Sequence, residues 1–279
     1  MAVRRGRRMV STVNPIDRRG LLRAVGLGAV GAAAAACAGR SRAVTAAPSP
    51  APTASPPPSP APSPSATAST PAALRPLPAG LPFQVSSGPR DGTKVALTFH
   101  GQGSADIAEA LLSEAASAGA RITVLAVGTW LDDQPDMAKR ILDAGHELGN
   151  HTLSHGNLAA MDADAAYAEI AGCAERLERL TGSKGRWLRP SQTEYCTPTV
   201  MEQARRIGYE HCLGYDVDSL DYTDPGPAAV RRNVMDRIRP GSVVSLHFGH
   251  RGTVLALPAI LQDLDARGLR AVTASELFG

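Results

Sequence analysis

The chain has 279 residues, with 29 Lys and Arg against 26 Asp and Glu, a net charge of +3. Nine arginines (4, 5, 7, 8, 18, 19, 23, 40 and 42) and a single acid, Asp17, fall within residues 1–42, so 20 basic residues face 25 acidic ones in the remainder. The positive balance therefore belongs to the leader. This removes the support for a nucleic-acid interface or any other polyanion-binding face on the rest of the chain.

The leader comes first. Arg18-Arg19-Gly20-Leu21-Leu22 precedes an apolar run from Ala24 to Ala36 that ends at Cys37. A positive segment, a 13-residue apolar stretch and small residues at its end describe an export signal over residues 1–36, too short to span a bilayer. The arginine pair resembles a twin-arginine address. The small residues before Cys37 resemble a lipoprotein cleavage box, with Ala34 where leucine is usual; cleavage elsewhere would discard Cys37. Both outcomes predict an exported protein of the cell envelope, held at the membrane by a lipid on Cys37 or released. Residues 37–88 read as a disordered linker, since from Ala47 to about Pro82 they are almost entirely Pro, Ala, Ser and Thr. In polyproline II, at roughly 3 Å per residue, such a stalk reaches on the order of 100 Å.

Residues 89–279 are expected to fold. A strand at Lys94 to Phe99 is followed by a helix with Ile107, Leu111, Ala115 and Ala118 on one face. Strand Arg121 to Val127, helix Pro135 to Ala144 and strand His146 to Asn150 come next. Helix Asp162 to Leu180 has the clearest period, with Tyr167, Ile170, Ala174, Leu177 and Leu180 in phase. Then come a strand at Trp187 to Arg189, a helix at Pro198 to Ile207 and a strand at His211 to Val217. Helix Ala228 to Ile238, strand Ser242 to Leu246, helix Leu255 to Ala266 and strand Leu269 to Val272 complete the chain. Seven βα-like units predict an α/β barrel or an open parallel sheet. Cys173, Cys196 and Cys212 show no CxxC spacing and are expected to be buried free thiols, in preference to one disulfide plus one thiol.

His100, His151, His155, Arg189, Asp218 and His247 all lie just after strand runs, where α/β folds build their sites. His151 and His155 are four residues apart, a spacing that suits two neutral imidazoles on one divalent metal.

Five segments in order resemble the motifs of the polysaccharide deacetylase (NodB-homology) family, also called carbohydrate esterase family 4. His146 through His155 (HELGNHTLSH) is similar to its second motif, and Leu97-Thr98-Phe99-His100-Gly101 takes the position of its TFDD motif. Arg189-Pro190 resembles RPPY, Asp218-Ser219-Leu220-Asp221-Tyr222 resembles DxxDW, and Ser245-Leu246-His247 resembles LxLH. The resemblance implies a distorted (β/α)7 barrel. It also implies metal-assisted removal of acetyl groups from an N-acetylated polysaccharide of the envelope, peptidoglycan-like or chitin-like. By the same resemblance His151 and His155 hold the metal, His247 protonates the departing amine, and Asp218 orients His247. Arg189 orients the base, and a backbone N–H between Arg189 and Thr193 shares the oxyanion.

Where the family has Asp-Asp, this chain has His100-Gly101, and Ser191-Gln192-Thr193 replaces Pro-Tyr-Gly. Three readings follow. His100 is a third metal ligand in a three-histidine site, which suits zinc; or His100 is the base and two histidines hold the metal; or the domain is a non-catalytic glycan-binding relative. A metalloprotease is disfavoured, because HTLSH lacks the glutamate of HExxH. Trp130 and Trp187 read as core, His250 as a residue that could line the cleft, and Asp132-Asp133 as a cap for the Pro135-led helix.

Overall fold

A computed structural model of the chain describes residues 76–279. The expected export signal with its arginine pair, Cys37 and residues 37–75 lie outside the described residues. No described helix is long and apolar enough to cross a membrane.

The described elements are β1 (Gln84–Val85), β2 (Lys94–Gly101), α1 (Ala105–Ser117), β3 (Thr123–Ala126), α2 (Gly128–Asp133), α3 (Asp136–Asp143), β4 (Glu147–Asn150), α4 (Ala163–Thr181), β5 (Trp187–Leu188), α5 (Pro198–Ile207), β6 (His211–Leu213), β7 (Val217–Asp218), α6 (Pro227–Met235), β8 (Val243–His247), α7 (Arg251–Ala266), β9 (Arg270–Val272) and α8 (Ala274–Phe278). Local chemistry sets several boundaries. Asp162 accepts the Ala165 N–H to start α4, and left-handed Gly182 ends it. Thr197 caps α5 ahead of Pro198, and left-handed Gly208 closes that helix.

All strand pairs are parallel, in the order β1-β6-β5-β4-β3-β2-β8-β7, with β9 on the first residues of β2. β7 ends this order on one side and β6 is next to the last strand, β1, on the other, yet only Gly214, Tyr215 and Asp216 separate them. That link reaches at most about 14 Å, so the sheet must curl until its edges approach. An antiparallel bridge between Ser87 and Ser242 ties the β1 side to the start of β8. The result is the expected distorted (β/α)7 barrel. The single strand expected at His211 to Val217 is thus two, on opposite flanks.

The two-residue strand period divides the core. Val95, Leu97 and Phe99 of β2, Val124 and Ala126 of β3, and Val244 and Leu246 of β8 face the helices. Ala96, Leu125 and Val243 point inward with Trp187 and Val272, where α8 closes the amino-terminal mouth with Ala274, Leu277 and Phe278. Going up β2 on that inward face, Ala96 is followed by Thr98 and His100; on β8, Val243 is followed by Ser245 and His247. The interior therefore changes from apolar to polar toward the carboxyl ends of the strands.

Four features depart from expectation. The folded part begins before Pro89, since Gln84 and Val85 pair with Cys212 and Leu213. α2 and α8 were not anticipated. Asp132 lies within α2 and pairs with Arg176 and Arg179, while α3 begins at Asp136, just after Pro135, without a side-chain cap. Cys196 and Cys212 form a disulfide, because the loop before α5 packs over β6 in one apolar cluster, and among the described residues Cys173 alone is a buried free thiol. Trp130 and Trp187 are core residues, as expected.

Glu147 joins β4 to α8. Its buried carboxylate accepts from Thr123 Oγ1, Trp187 Nε1 and Ser275 N, each at 3.0 Å, and from Ser275 Oγ. Burial pushes its pKa up, and these donors offset only part of that rise. Glu147→Ala leaves several buried donors unpaired and is expected to cost about 3–5 kcal/mol, read as a lower urea midpoint.

Candidate active site

β2 and β8 run side by side with His100 opposite His247 and Thr98 opposite Ser245. β4 leads into His151, and the turn beyond it carries His155 in a left-handed conformation (φ 60°). That turn is tied to the chain after β5, since Gln192 Nε2 donates to the His155 carbonyl at 2.8 Å and Ser191 Oγ donates to the Gly156 carbonyl. The residues that replace the aromatic motif thus brace the loop that presents His155.

The histidines converge. His100 Nδ1 lies 2.8 Å from His151 Nε2, and the His151 and His155 ring centroids are 4.9 Å apart. One nitrogen from each of His100, His151 and His155 fits within a 4.8 Å group, a set of His, Cys, Asp or Glu side chains that could hold an ion among the described residues. Tetrahedral zinc with bonds of about 2.1 Å places nitrogens roughly 3.4 Å apart; adjustments of the ring positions therefore suffice. Burial lowers the pKa of all three, His100 and His151 well below the usual imidazole value, and neighbouring positive groups add to this. Neutral imidazole is the metal-binding form. The residues fit a divalent metal.

Arg189 is fully buried, and burial lowers its pKa to about 10. Its Nε donates to the Leu213 carbonyl (2.7 Å), and its Nη2 donates to the Gly214 carbonyl (3.0 Å) and Thr98 Oγ1 (2.8 Å). Its Nη1 lies 3.4 Å from His100 Nε2, and its carbonyl accepts from His151 Nδ1 at 3.0 Å. It therefore braces two histidines while bridging β2 and the β6–β7 link.

The acid side of the site differs from expectation. The carboxylate facing His247 is Asp221, not Asp218. Asp221 accepts from His247 Nδ1 at 2.7 Å, His247 N at 2.8 Å and Thr253 Oγ1 at 2.7 Å. Asp218 instead accepts the Leu220 N–H at 2.9 Å. A left-handed Leu220 and a short 3-10 turn at Asp221–Thr223 swing the second aspartate beneath the imidazole. Burial acts to raise the Asp221 pKa, but the His247 hydrogen bond and charge, together with Thr253 and the His247 N–H, outweigh it and hold the pKa below the usual value. His247 stacks on His100 with centroids 4.2 Å apart, and the Tyr222 ring meets the His247 ring edge-on at 5.6 Å. His250 sits beside His247 (5.8 Å) and bonds Asp224 at 2.8 Å.

The structure therefore brings together His100, His151, His155, Arg189 and His247, and sets Asp218 apart from His247. Sequence reasoning missed Asp221 as the partner, Thr253 behind it and Ser245 beneath His100. Ser245 was recoverable, because a strand residue two before His247 shares its face. Thr253 carried no sequence signal.

Inward-pointing histidines at the carboxyl mouth of a curled parallel sheet, beside a histidine–aspartate pair, belong to a barrel of the NodB type. The chain belongs to the polysaccharide deacetylase family, whose profile matches residues 87–212. It is similar to a peptidoglycan-N-acetylglucosamine deacetylase of Bacillus cereus, 31% identical over 69% of this chain and 70% of that protein. A chitin deacetylase of Arthroderma benhamiae is 30% identical over 73% of this chain and 57% of that protein. Among solved structures, a peptidoglycan N-acetylglucosamine deacetylase aligns with a TM-score of 0.66 at 29% identity, covering 70% of this chain and 92% of that one. A mutant of a CE4 family pseudoenzyme with restored enzymatic activity, the wild type being from Bacillus anthracis, aligns with a TM-score of 0.67 at 25% identity over 71% and 72%.

Proposed function

We propose that the chain is a metal-dependent hydrolase that removes N-acetyl groups from a peptidoglycan-like or chitin-like polysaccharide of the cell envelope. The observation that carries this reading is the buried His100, His151 and His155 group beside the His247–Asp221 pair. The similarity to peptidoglycan and chitin deacetylases supports the substrate class. Held by the three histidines, a divalent ion such as zinc would supply Lewis acidity toward the amide carbonyl and acidify water.

The chain's own residues divide the remaining work. His100 has Nδ1 in the metal group and Nε2 against Ser245 and Arg189, so neither nitrogen is left for proton transfer. That task falls to His247 Nε2, since Nδ1 is engaged by Asp221. It takes the proton released as water adds to the carbonyl carbon, then delivers it to the amine as the C–N bond breaks and acetate leaves. Asp221 fixes the ring by accepting from its Nδ1 and from the His247 N–H. Elemental analysis of the purified protein and acetate release from N-acetylglucosamine oligomers, before and after chelation, test the proposal. A metal-free protein that takes up no zinc and binds the glycan without turnover would establish the glycan-binding alternative.

The leader supports export through the twin-arginine route to the envelope, with lipid anchoring at Cys37. Cys37→Ser is expected to move the protein from the membrane fraction to the soluble extracellular fraction. A wild type already soluble outside the cell refutes the anchor.

A further inference from the structure

The most exposed large apolar side chains among the described residues are Leu255, Tyr195 and Tyr222, at 58%, 55% and 50%. Scattered singly over the surface they would need no explanation. All three, however, lie on segments that leave the carboxyl ends of strands: Tyr195 after β5, Tyr222 after β7, and Leu255 in α7 after β8. That is the mouth where the histidines converge.

Tyr215 joins them in the β6–β7 link, where the edges of the curled sheet approach. Its ring centre lies 5.5 Å from the Arg189 guanidinium. Burial, with the charges of Asp218 and Glu194, pushes its hydroxyl up to about 12, and Glu194 also raises the Tyr195 hydroxyl, so Glu194 stands between the two tyrosines. On the other side Tyr222 meets the His247 ring edge-on at 5.6 Å. Beyond it Leu255, Val230, Asp224 and Arg251 line a hollow of about 240 Å³ that reaches Asp221. Pockets that enclose a whole ligand run about 300–1,000 Å³, so this hollow holds one ring or substituent of something that continues outside it. Aromatic and aliphatic side chains pack on the C–H faces of sugar rings, and carboxylates and guanidinium pair with their hydroxyls. Glu194, Asp218, Asp224 and Arg251 interrupt the apolar surface, whereas the core of a protein interface is depleted in charge. The surface therefore suits a glycan better than a protein partner.

We infer that Tyr195 and Leu255 are specificity-determining residues that hold sugar units neighbouring the one at His247, so that the chain acts on an extended polymer in preference to short oligomers. The inference rests on the deacetylase reading above and deepens it. Neither side chain belongs to the histidine group or to the His247–Asp221 pair, and both are exposed, so their removal leaves the fold and the reacting atoms in place.

The test measures acetate release from the N-acetylglucosamine dimer and hexamer by the full chain and its Tyr195→Ala, Tyr195→Phe and Leu255→Ala forms. Wild type is expected to have a higher kcat/KM on the hexamer. Each alanine variant should raise KM for the hexamer ~3- to 10-fold. Its kcat should stay unchanged, because a contact made equally before and during reaction affects binding alone. The dimer should be nearly unaffected, since it can use whichever contact remains, and Tyr195→Phe, which keeps the ring, should match wild type. Equal effects on dimer and hexamer, or no effect on either, overturn the inference while deacetylation stands. If wild type releases no acetate from either oligomer, the deacetylase reading fails, and calorimetric binding of the hexamer decides the inference separately. A ~3- to 10-fold weaker affinity in both alanine variants then upholds the two contacts, and equal affinities overturn them.

Discussion

On the proposed metal-dependent mechanism, His151→Ala is expected to abolish zinc uptake and lower kcat/KM on N-acetylglucosamine oligomers by at least ~10³-fold, since both Lewis acidity and the acidified water would depend on the ion. His151 is fully buried between the Arg189 carbonyl and His100, so truncation also leaves two buried polar groups unpaired, at about 1–3 kcal/mol each. Loss of activity alone would therefore not separate chemistry from stability. His155→Ala provides the separation. His155 is only half-buried and its backbone stays tied to Gln192, so this variant should unfold near the wild-type midpoint while losing metal to a comparable degree. Retained zinc in both variants would show that these two histidines do not form the metal site.

The second large effect is on proton transfer. His247→Ala is expected to reduce kcat by ~10² to 10⁴ while leaving zinc content unchanged, because His247 stacks on the histidine group without belonging to it. Asp221→Asn should act in the same direction, since an amide places a donor against the His247 N–H, the His247 ring nitrogen and the Thr253 hydroxyl. Asp218→Asn should change kcat only slightly, because Asp218 supports a turn and does not touch His247. Equal losses for the two asparagine variants would refute the assignment of Asp221 as partner. The lowered Asp221 pKa adds a pH signature. A carboxylate stabilised in the folded state contributes stability that is fully present above its unfolded value and is lost as pH falls through the folded value. The stability gap between wild type and Asp221→Asn should therefore narrow on acidification, as read from urea midpoints across pH.

The His100-Gly101 departure looks different once the packing is known. A side chain at Gly101 would not fill an empty ligand position, since an added Cβ would lie 2.8 Å from Val124 Cγ1 and 3.1 Å from Ala126 Cα. Glycine there permits β2 and β3 to pair closely right up to the site. A His100→Asp, Gly101→Asp chain, which restores the family's letters, would first have to shift the Val124 side chain and move Ala126 by a few tenths of an ångström.

The sequence by itself determined the alternation of strands and helices, the position of five histidine and arginine site residues at strand ends, and the family resemblance. These are legible because side-chain period and chain-local motifs are properties of neighbours in sequence. Three things were decided only by the tertiary structure. His211 to Val217 became two strands on opposite flanks because barrel closure, not local propensity, dictates where a curled sheet must break. Asp221 displaced Asp218 because one left-handed residue, Leu220, redirects the turn, and non-glycine residues in that region carry little sequence signal. Cys196 met Cys212, and Ser245 met His100, across 16 and 145 residues. Such contacts are fixed by how elements pack around the barrel, a relation between distant segments that no local pattern encodes.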